Sequence, residues 1–273
     1  MDNIAVIILN YITWEETLKE IDIVKSLNAS SQLDIIVVEN NSPNNSYNCL
    51  LEHSKNNFIL IKSENNNGYA SGNNLGLRYC FQKGYKYAWI LNNDILIEDR
   101  DIVAKLISVF NDDSVAVVNP DIYTPEKHLY NRDSSKPSFY DLTLGMFRYR
   151  KKGRIIKDIG GYGYVYRPQG CCMMVDLSKM REVDYLDEYT FLYFEEVILA
   201  ERLIKKDYKC ACCLDCSVIH NHSKTVKSSI KRRQIAKIQL ESFNYYLRKY
   251  RNFGVLKRFI CRLFYKLKLC LMK

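Results

Sequence analysis

The chain has 273 residues, 47% of them hydrophobic, which is ample for a packed core in one large α/β domain or two small ones and excludes a disordered chain. The net charge of +9 is unevenly placed: residues 227–273 carry 14 Lys/Arg against one acid, Glu241, a balance of +13 that leaves −4 for residues 1–226. Ten cysteines in a chain this long, with no export signal, read as reduced core residues, and no apolar run reaches the ~18–20 residues of a membrane-spanning helix.

Met1-Asp-Asn runs directly into the strand-like Ile4–Leu9 without a basic leader, so a cytoplasmic location is expected. A helix follows, opened by a capping box of Thr13 and Glu16, with Leu18, Ile21, Val24 and Leu27 on one face. Strands at Leu33–Glu39, Phe58–Lys62, Tyr87–Leu91 and Val115–Asn119 then alternate with helices from about Asn73 to Gln82 and Asp101 to Phe110. This alternation predicts an α/β fold, a mainly parallel sheet with helices on both faces. Such sheets bind ligands at the carboxyl ends of their strands, where Asn10, Glu39 and Asp94 fall.

Between Pro120 and Pro168 the periodicity dissolves into a stretch rich in Tyr, Lys and Arg that includes Gly160-Gly-Tyr-Gly163, either a binding loop that orders on contact or a surface insertion. Regular structure resumes with Gly170–Asp176, a helix from about Glu195 to Lys206, and an apolar strand from Lys209 to Ile219. Cys210, Cys212, Cys213 and Cys216, with His220 and His222, resemble a zinc site only loosely. They lack two separated Cys-x-x-Cys knuckles, and a strand is the preferred reading.

Beyond Lys227 the chain reads as two basic helices broken near Gly254. In the second, Leu256, Phe259, Ile260, Leu263, Phe264, Leu267 and Leu271 recur at three- and four-residue steps, with Lys257, Arg258, Arg262, Lys266 and Lys268 on the other faces. That is the pattern of an interfacial amphipathic helix; the alternative is a helix packed on the core with a solvated basic face. No recognition motif accompanies the charge, so nucleic acid is not expected as a partner.

Tyr87-Ala-Trp-Ile-Leu-Asn-Asn-Asp94 delivers a carboxylate at the end of a buried strand, although Asn and Asp there also suit a plain turn. A hard oxygen ligand favours Mg²⁺ or Mn²⁺, with Mn²⁺ preferred if an imidazole joins. Four further segments follow in order: Glu39-Asn-Asn-Ser42, Asn66–Asn74, Asp187–Ile198 and Val218-Ile-His220. Together they resemble the inverting family-2 glycosyltransferases of the GT-A fold, within them the bacterial rhamnosyltransferase-like branch, over roughly residues 4 to 225.

The resemblance implies a donor site built from Asn10, Tyr11, Glu39, Asn41, Ser42, Gly68, Tyr69, Gly72, Asn73, Asn74 and Asn93. It implies metal ligation by Asp94 and His220, with His222 as the fallback, a catalytic base at Glu196 or its neighbour Glu195, and an acceptor side at Gly170, Asp187 and Glu188. Three residues depart from the family pattern: Glu39 and Glu196 stand where Asp is usual, and Ile198 replaces an Asp. The implied organisation is a catalytic domain at 1–226, with a donor half to about 119 and an acceptor half from about 120, and a basic helical tail at 227–273. The implied activity is metal-dependent inverting transfer from a dTDP-rhamnose-like or UDP-sugar donor to a hydroxyl of a growing, lipid-linked surface polysaccharide. The tail would bind the anionic inner face of the membrane, and a homodimer stays open. The rivals are a nucleotidyltransferase, although Asn10-Tyr-Ile-Thr13 lacks the Gly-rich basic loop it needs, and a non-catalytic binding subunit.

Overall fold

The computed structural model describes residues 3–29, 33–147, 156–221 and 232–271. Strands β1 (Ile4–Asn10), β2 (Asp34–Glu39), β3 (Ile59–Lys62) and β4 (Tyr87–Leu91) pair in parallel, in the order β3-β2-β1-β4. The sheet continues through β8 (Cys172–Asp176), antiparallel to both β4 and β6 (Val115–Tyr123), and then β9 (Lys209–His220), parallel to β6. β5 (Ile95–Leu96) and β7 (Tyr162–Val165) pair antiparallel with β9.

The near-continuous apolar runs of β1, β2 and β4 follow from burial on both faces. Val6, Ile8, Trp89 and Leu91 enter one layer with Ile21 and Val24 of α1 (Trp14–Lys25), Leu50 of α2 (Ser46–Ser54) and Leu106 of α4 (Ile102–Ser108). Ala5, Ile7, Ile36 and Ile90 enter the other with α3 (Tyr69–Gln82), α5 (Leu177–Glu182) and α6 (Glu195–Ile204). A third cluster joins Ile198 of α6 to Phe243, Tyr246 and Leu247 of α7 (Arg232–Lys249) and Cys261 of α8 (Val255–Leu271).

Several expectations change. Thr13 is the N-cap residue of α1, but its side chain makes no capping bond and instead accepts from the Asn93 amide at 3.0 Å. Helix α3 starts at Tyr69, about four residues early, because Gly68 at φ +96° turns the chain into it. β6 runs through Pro120 to Tyr123, and the ladder to β9 slips between Pro120 and Asp121, where a missing N–H is tolerated. β7 lies within the stretch expected to be irregular. The cysteines of β9 divide between the layers: Cys210 and Cys212 face one, Cys213 and Cys216 the other. The Cys212 thiol donates to Asp121 at 3.3 Å and that of Cys213 to the Lys105 carbonyl at 3.7 Å, so the four are split two and two across the sheet. His222 lies outside the described residues.

Candidate active site

Asp94 follows β4, and His220 ends β9, where β5 brings the two together through the Ile95–His220 pair. His220 Nε2 lies 3.2 Å from Asp94 Oδ1, an ion-pair distance without hydrogen-bond geometry, so that buried oxygen has no hydrogen-bond partner. Nδ1 is bonded to the Tyr130 hydroxyl at 2.7 Å. Burial lowers the imidazolium's pKa, but Asp94 and Cys171 outweigh it and raise the pKa to about 10. Asp94 thus favours a positive charge beside it, a preference that a divalent ion also satisfies. A buried carboxylate oxygen that makes no hydrogen bond, with an imidazole beside it, fits one flank of such an ion. Among the described residues no group of three or more His, Cys, Asp or Glu gathers that could hold a metal ion.

Beneath Asp94 lies Glu20 of α1, 2% exposed, with Oε1 unpartnered. Burial, opposed by a backbone hydrogen bond from Ile95 and aided by Asp94, raises its pKa to about 9. The sequence reading missed it, although Thr17, Glu20, Ile21 and Val24 sit at the spacing of one buried helix face.

At the carboxyl end of β1 Asn10 is buried. Its Oδ1 accepts from the Thr17 hydroxyl at 2.9 Å and its Nδ2 has no partner, an orphan donor at a strand's carboxyl end. Glu39 is 1% exposed and its Oε1 accepts from the Ser42 N–H at 2.8 Å. Ser42 Oγ accepts from the Ile12 N–H at 2.9 Å, tying the two strand-end loops together. Ile12 itself sits at φ +72°, a strained position for a β-branched residue. Asn41 turns at φ +53° and is exposed, and Tyr11 is half-buried.

Other residues expected to contact donor are committed to the scaffold. Gly72 packs α3 against Leu9 of β1, where a Cβ would clash. Asn74 is buried and its amide donates to the Leu186 carbonyl at 2.9 Å and to Glu188 at 2.8 Å. Asn73 is buried in the first turn of α3, bonded to the Tyr69 carbonyl at 3.0 Å. Asn93 donates to Thr13 and Thr17, fastening the Asp94 loop to α1.

The acids expected on the acceptor side, Asp187 and Glu188, make extensive contacts within the protein. Asp187 accepts from Tyr245 at 2.8 Å, Lys249 at 3.2 Å and the Tyr189 N–H at 3.1 Å, and from Tyr250. Burial raises its pKa, but these donors outweigh it and hold the carboxyl below its usual value. Glu188 pairs with Arg78 at 2.7 Å. Both acids hold the 187–194 segment and neither lines the cavity described next.

That cavity, of about 600 Å³, brings His220 and Asn92 together with Glu195 and Glu196 at the start of α6. Tyr193 and Phe194, at φ +72° and +73°, turn the chain abruptly into the helix. Glu196 Oε1 accepts from the Gly170 N–H at 3.3 Å, while the Gly170 carbonyl accepts from the Tyr69 hydroxyl at 2.7 Å. A Cβ at Gly170 would crowd both partners, which explains the glycine. Tyr69, expected in the donor loop, is thus joined to Glu196 through Gly170. Glu195 is 4% exposed, with Oε1 unpartnered; burial chiefly, and then the charge of Glu196, push its carboxyl far above the usual range. Arg167, paired with Asp133 at 3.0 Å, and Tyr265 and Lys268 of α8 complete the walls; none of these was singled out as a site residue in the sequence. Another cavity, about 620 Å³, lies at the amino ends of β2 and β3 and gathers no carboxylate pair.

Residues 5–178 match the profile of Glycosyl transferase family 2. The chain belongs to that family. It is a glycosyltransferase using nucleotide-sugar donors in glycan biosynthesis, and the nucleotidyltransferase alternative gives way. It is 25% identical over 228 residues to the low-salt glycan biosynthesis hexosyltransferase Agl10 of Haloferax volcanii, covering 81% of this chain and 68% of that one. It is 24% identical over 210 residues to the O-antigen chain rhamnosyltransferase WbaN of Salmonella anatum, covering 76% and 62%. The fold is GT-A. The mannosyltransferase PcManGT of Pyrobaculum calidifontis, solved with GDP-Man and Mn²⁺, superposes with a TM-score of 0.63 at 14% identity, over 98% of this chain and 69% of that one. GalNAc-T7, solved with UDP, GalNAc and Mn²⁺, gives 0.70 at 11% identity, over 92% and 49%.

Proposed function

We propose that this enzyme catalyses inverting, metal-dependent transfer of a sugar from a dTDP-rhamnose-like or UDP-linked donor to a hydroxyl of a growing surface polysaccharide on a lipid carrier. The observation that carries the reading is the single cavity in which Glu196, seated on the Gly170 N–H, faces the His220 corner. The carboxylate of Glu196 removes the acceptor hydroxyl's proton, that oxygen attacks the anomeric carbon, and the nucleoside diphosphate leaves from the opposite side. One displacement inverts the centre without a covalent intermediate. Asp94 and His220 would hold Mn²⁺ or Mg²⁺, which when bound supplies charge neutralisation for the departing diphosphate. Glu39 and the free Asn10 amide read the nucleotide at the strand ends.

The names of the relatives, a hexosyltransferase of glycan biosynthesis and an O-antigen rhamnosyltransferase, support this substrate class. The donor side is assigned to residues up to about 119 and the acceptor side to those that follow. The place of action is the inner face of the cell membrane, where a lipid-linked acceptor resides. Among the described residues no helix is long and apolar enough to cross a membrane. The test is a panel of nucleotide sugars, with released nucleoside diphosphate measured with and without Mn²⁺. Turnover of one donor that EDTA abolishes and Mn²⁺ restores is expected; equal turnover in EDTA would overturn the metal role.

A further inference from the structure

We infer that the outer stripe of α8 and the turn at Leu144–Phe147 form one composite surface that seats on an anionic lipid bilayer, beside the acceptor cavity. α8 meets the body through Cys261, Phe264 and Tyr265. Its other side leaves Leu256, Phe259, Leu263, Leu267 and Leu271 between 47% and 73% exposed. The turn exposes Leu144 and Phe147, and the Phe147 ring lies 6.2 Å from Phe264, which joins turn to helix. Among the described residues, half of the large apolar side chains left exposed belong to these two segments. A contiguous patch of this kind marks an interaction surface.

Charge selects the occupant. Lys257, Arg258, Arg262 and Lys266 flank the stripe, and the sequence from Ser242 to Lys273 contains no Asp or Glu. An apolar stripe bordered only by cations matches the headgroup boundary of an anionic bilayer. A second copy would present the same cations to its mate and be repelled. Gly145 and Met146, between the two exposed residues of the turn, line the cavity of Glu196, as do Tyr265 and Lys268 of α8. Docking surface and acceptor cavity thus share both segments, and a hydroxyl carried on a lipid reaches Glu196 from the membrane plane. This deepens the lipid-linked acceptor reading, but it is measured by binding without turnover, so either can fail alone.

The full chain is sedimented with phosphatidylcholine vesicles, with and without phosphatidylglycerol, at low and high salt. It is expected to pellet only with phosphatidylglycerol, and less at high salt. The double variant Leu144→Ser, Phe147→Ser should partition about tenfold less, as two withdrawn apolar side chains imply, with donor hydrolysis unchanged. If that variant melts early, replacing Lys257, Arg258, Arg262 and Lys266 by Gln, which leaves the apolar packing intact, must produce the same loss. The inference is overturned if the parent ignores phosphatidylglycerol at low salt, or if a stably folded variant pellets like the parent. It is equally overturned if light scattering finds a dimer that Leu263→Ser with Leu267→Ser dissociates, since a second copy then occupies the surface.

Discussion

Glu195 and Glu196 are chain neighbours with different surroundings. Glu195 is sealed, and burial favours its neutral form, so Glu195→Gln, which keeps an uncharged group there, should change turnover little. Glu196 is only partly buried and seated on Gly170, and Glu196→Gln should cut turnover about 10²- to 10⁴-fold with donor affinity retained. Steady-state kinetics with donor titrations decide between them, and the reverse ranking moves the base to Glu195. Glu20 gives a pH prediction. Its folded pKa of about 9 lies above the ordinary 4.5, so the folded state binds the extra proton, and stability falls as pH rises from about 4.5 towards 9. Glu20→Gln removes this slope, so melting temperatures measured in EDTA across that range should fall less for the variant. Parallel curves would show that Glu20 does not hold its proton.

The segment 187–194 depends on contacts distant in sequence. Gly68 meets it where a Cβ would overlap the Phe191 carbonyl, and the Tyr69 N–H donates to that same carbonyl at 2.9 Å. Gly68→Ala adds both the clash and a φ of +96° to an L-residue, so it should cost more than about 1 kcal/mol and lower transfer as the segment shifts. Denaturant melts and turnover would check this; a variant as stable and active as the parent removes Gly68 from the support of the site. The same segment marks the limit of sequence reading. β1, β2 and β4 were legible because burial on both faces writes continuous apolar runs. Asp94 and His220 were legible as a pair only through the resemblance, because β5 and β9 join them 126 residues apart. Asp187 sits in a family motif, yet its partners Tyr245, Lys249 and Tyr250 lie on or beside α7, and no local pattern reveals that they meet. β7 escaped because four residues acquire strand character only by pairing with β9.

At the scale of the molecule the basic C-terminal helices are built into the catalytic body. Ser242 of α7 donates to the Leu192 carbonyl at 3.0 Å, and Tyr245 with Lys249 holds Asp187. The Tyr265 ring of α8 stacks on Phe243 at 4.4 Å and meets Phe194 edge-on at 6.0 Å, directly before the Glu195–Glu196 pair. An anchor that merely trailed from the enzyme would leave no hole when removed. Here a chain ended after Phe253 uncovers Phe243 and Phe194 and opens the cavity wall at Tyr265 and Lys268. Losing one such aromatic contact costs on the order of 3 kcal/mol, which for a chain of this size lowers the melting temperature by roughly 5 °C or more. The shortened enzyme should also bind a hydrophobic dye more strongly and transfer sugar poorly even to a water-soluble acceptor. If it melts with the parent and retains full transfer to that acceptor, α8 is an appendage, and its packing against the start of α6 does not support the site.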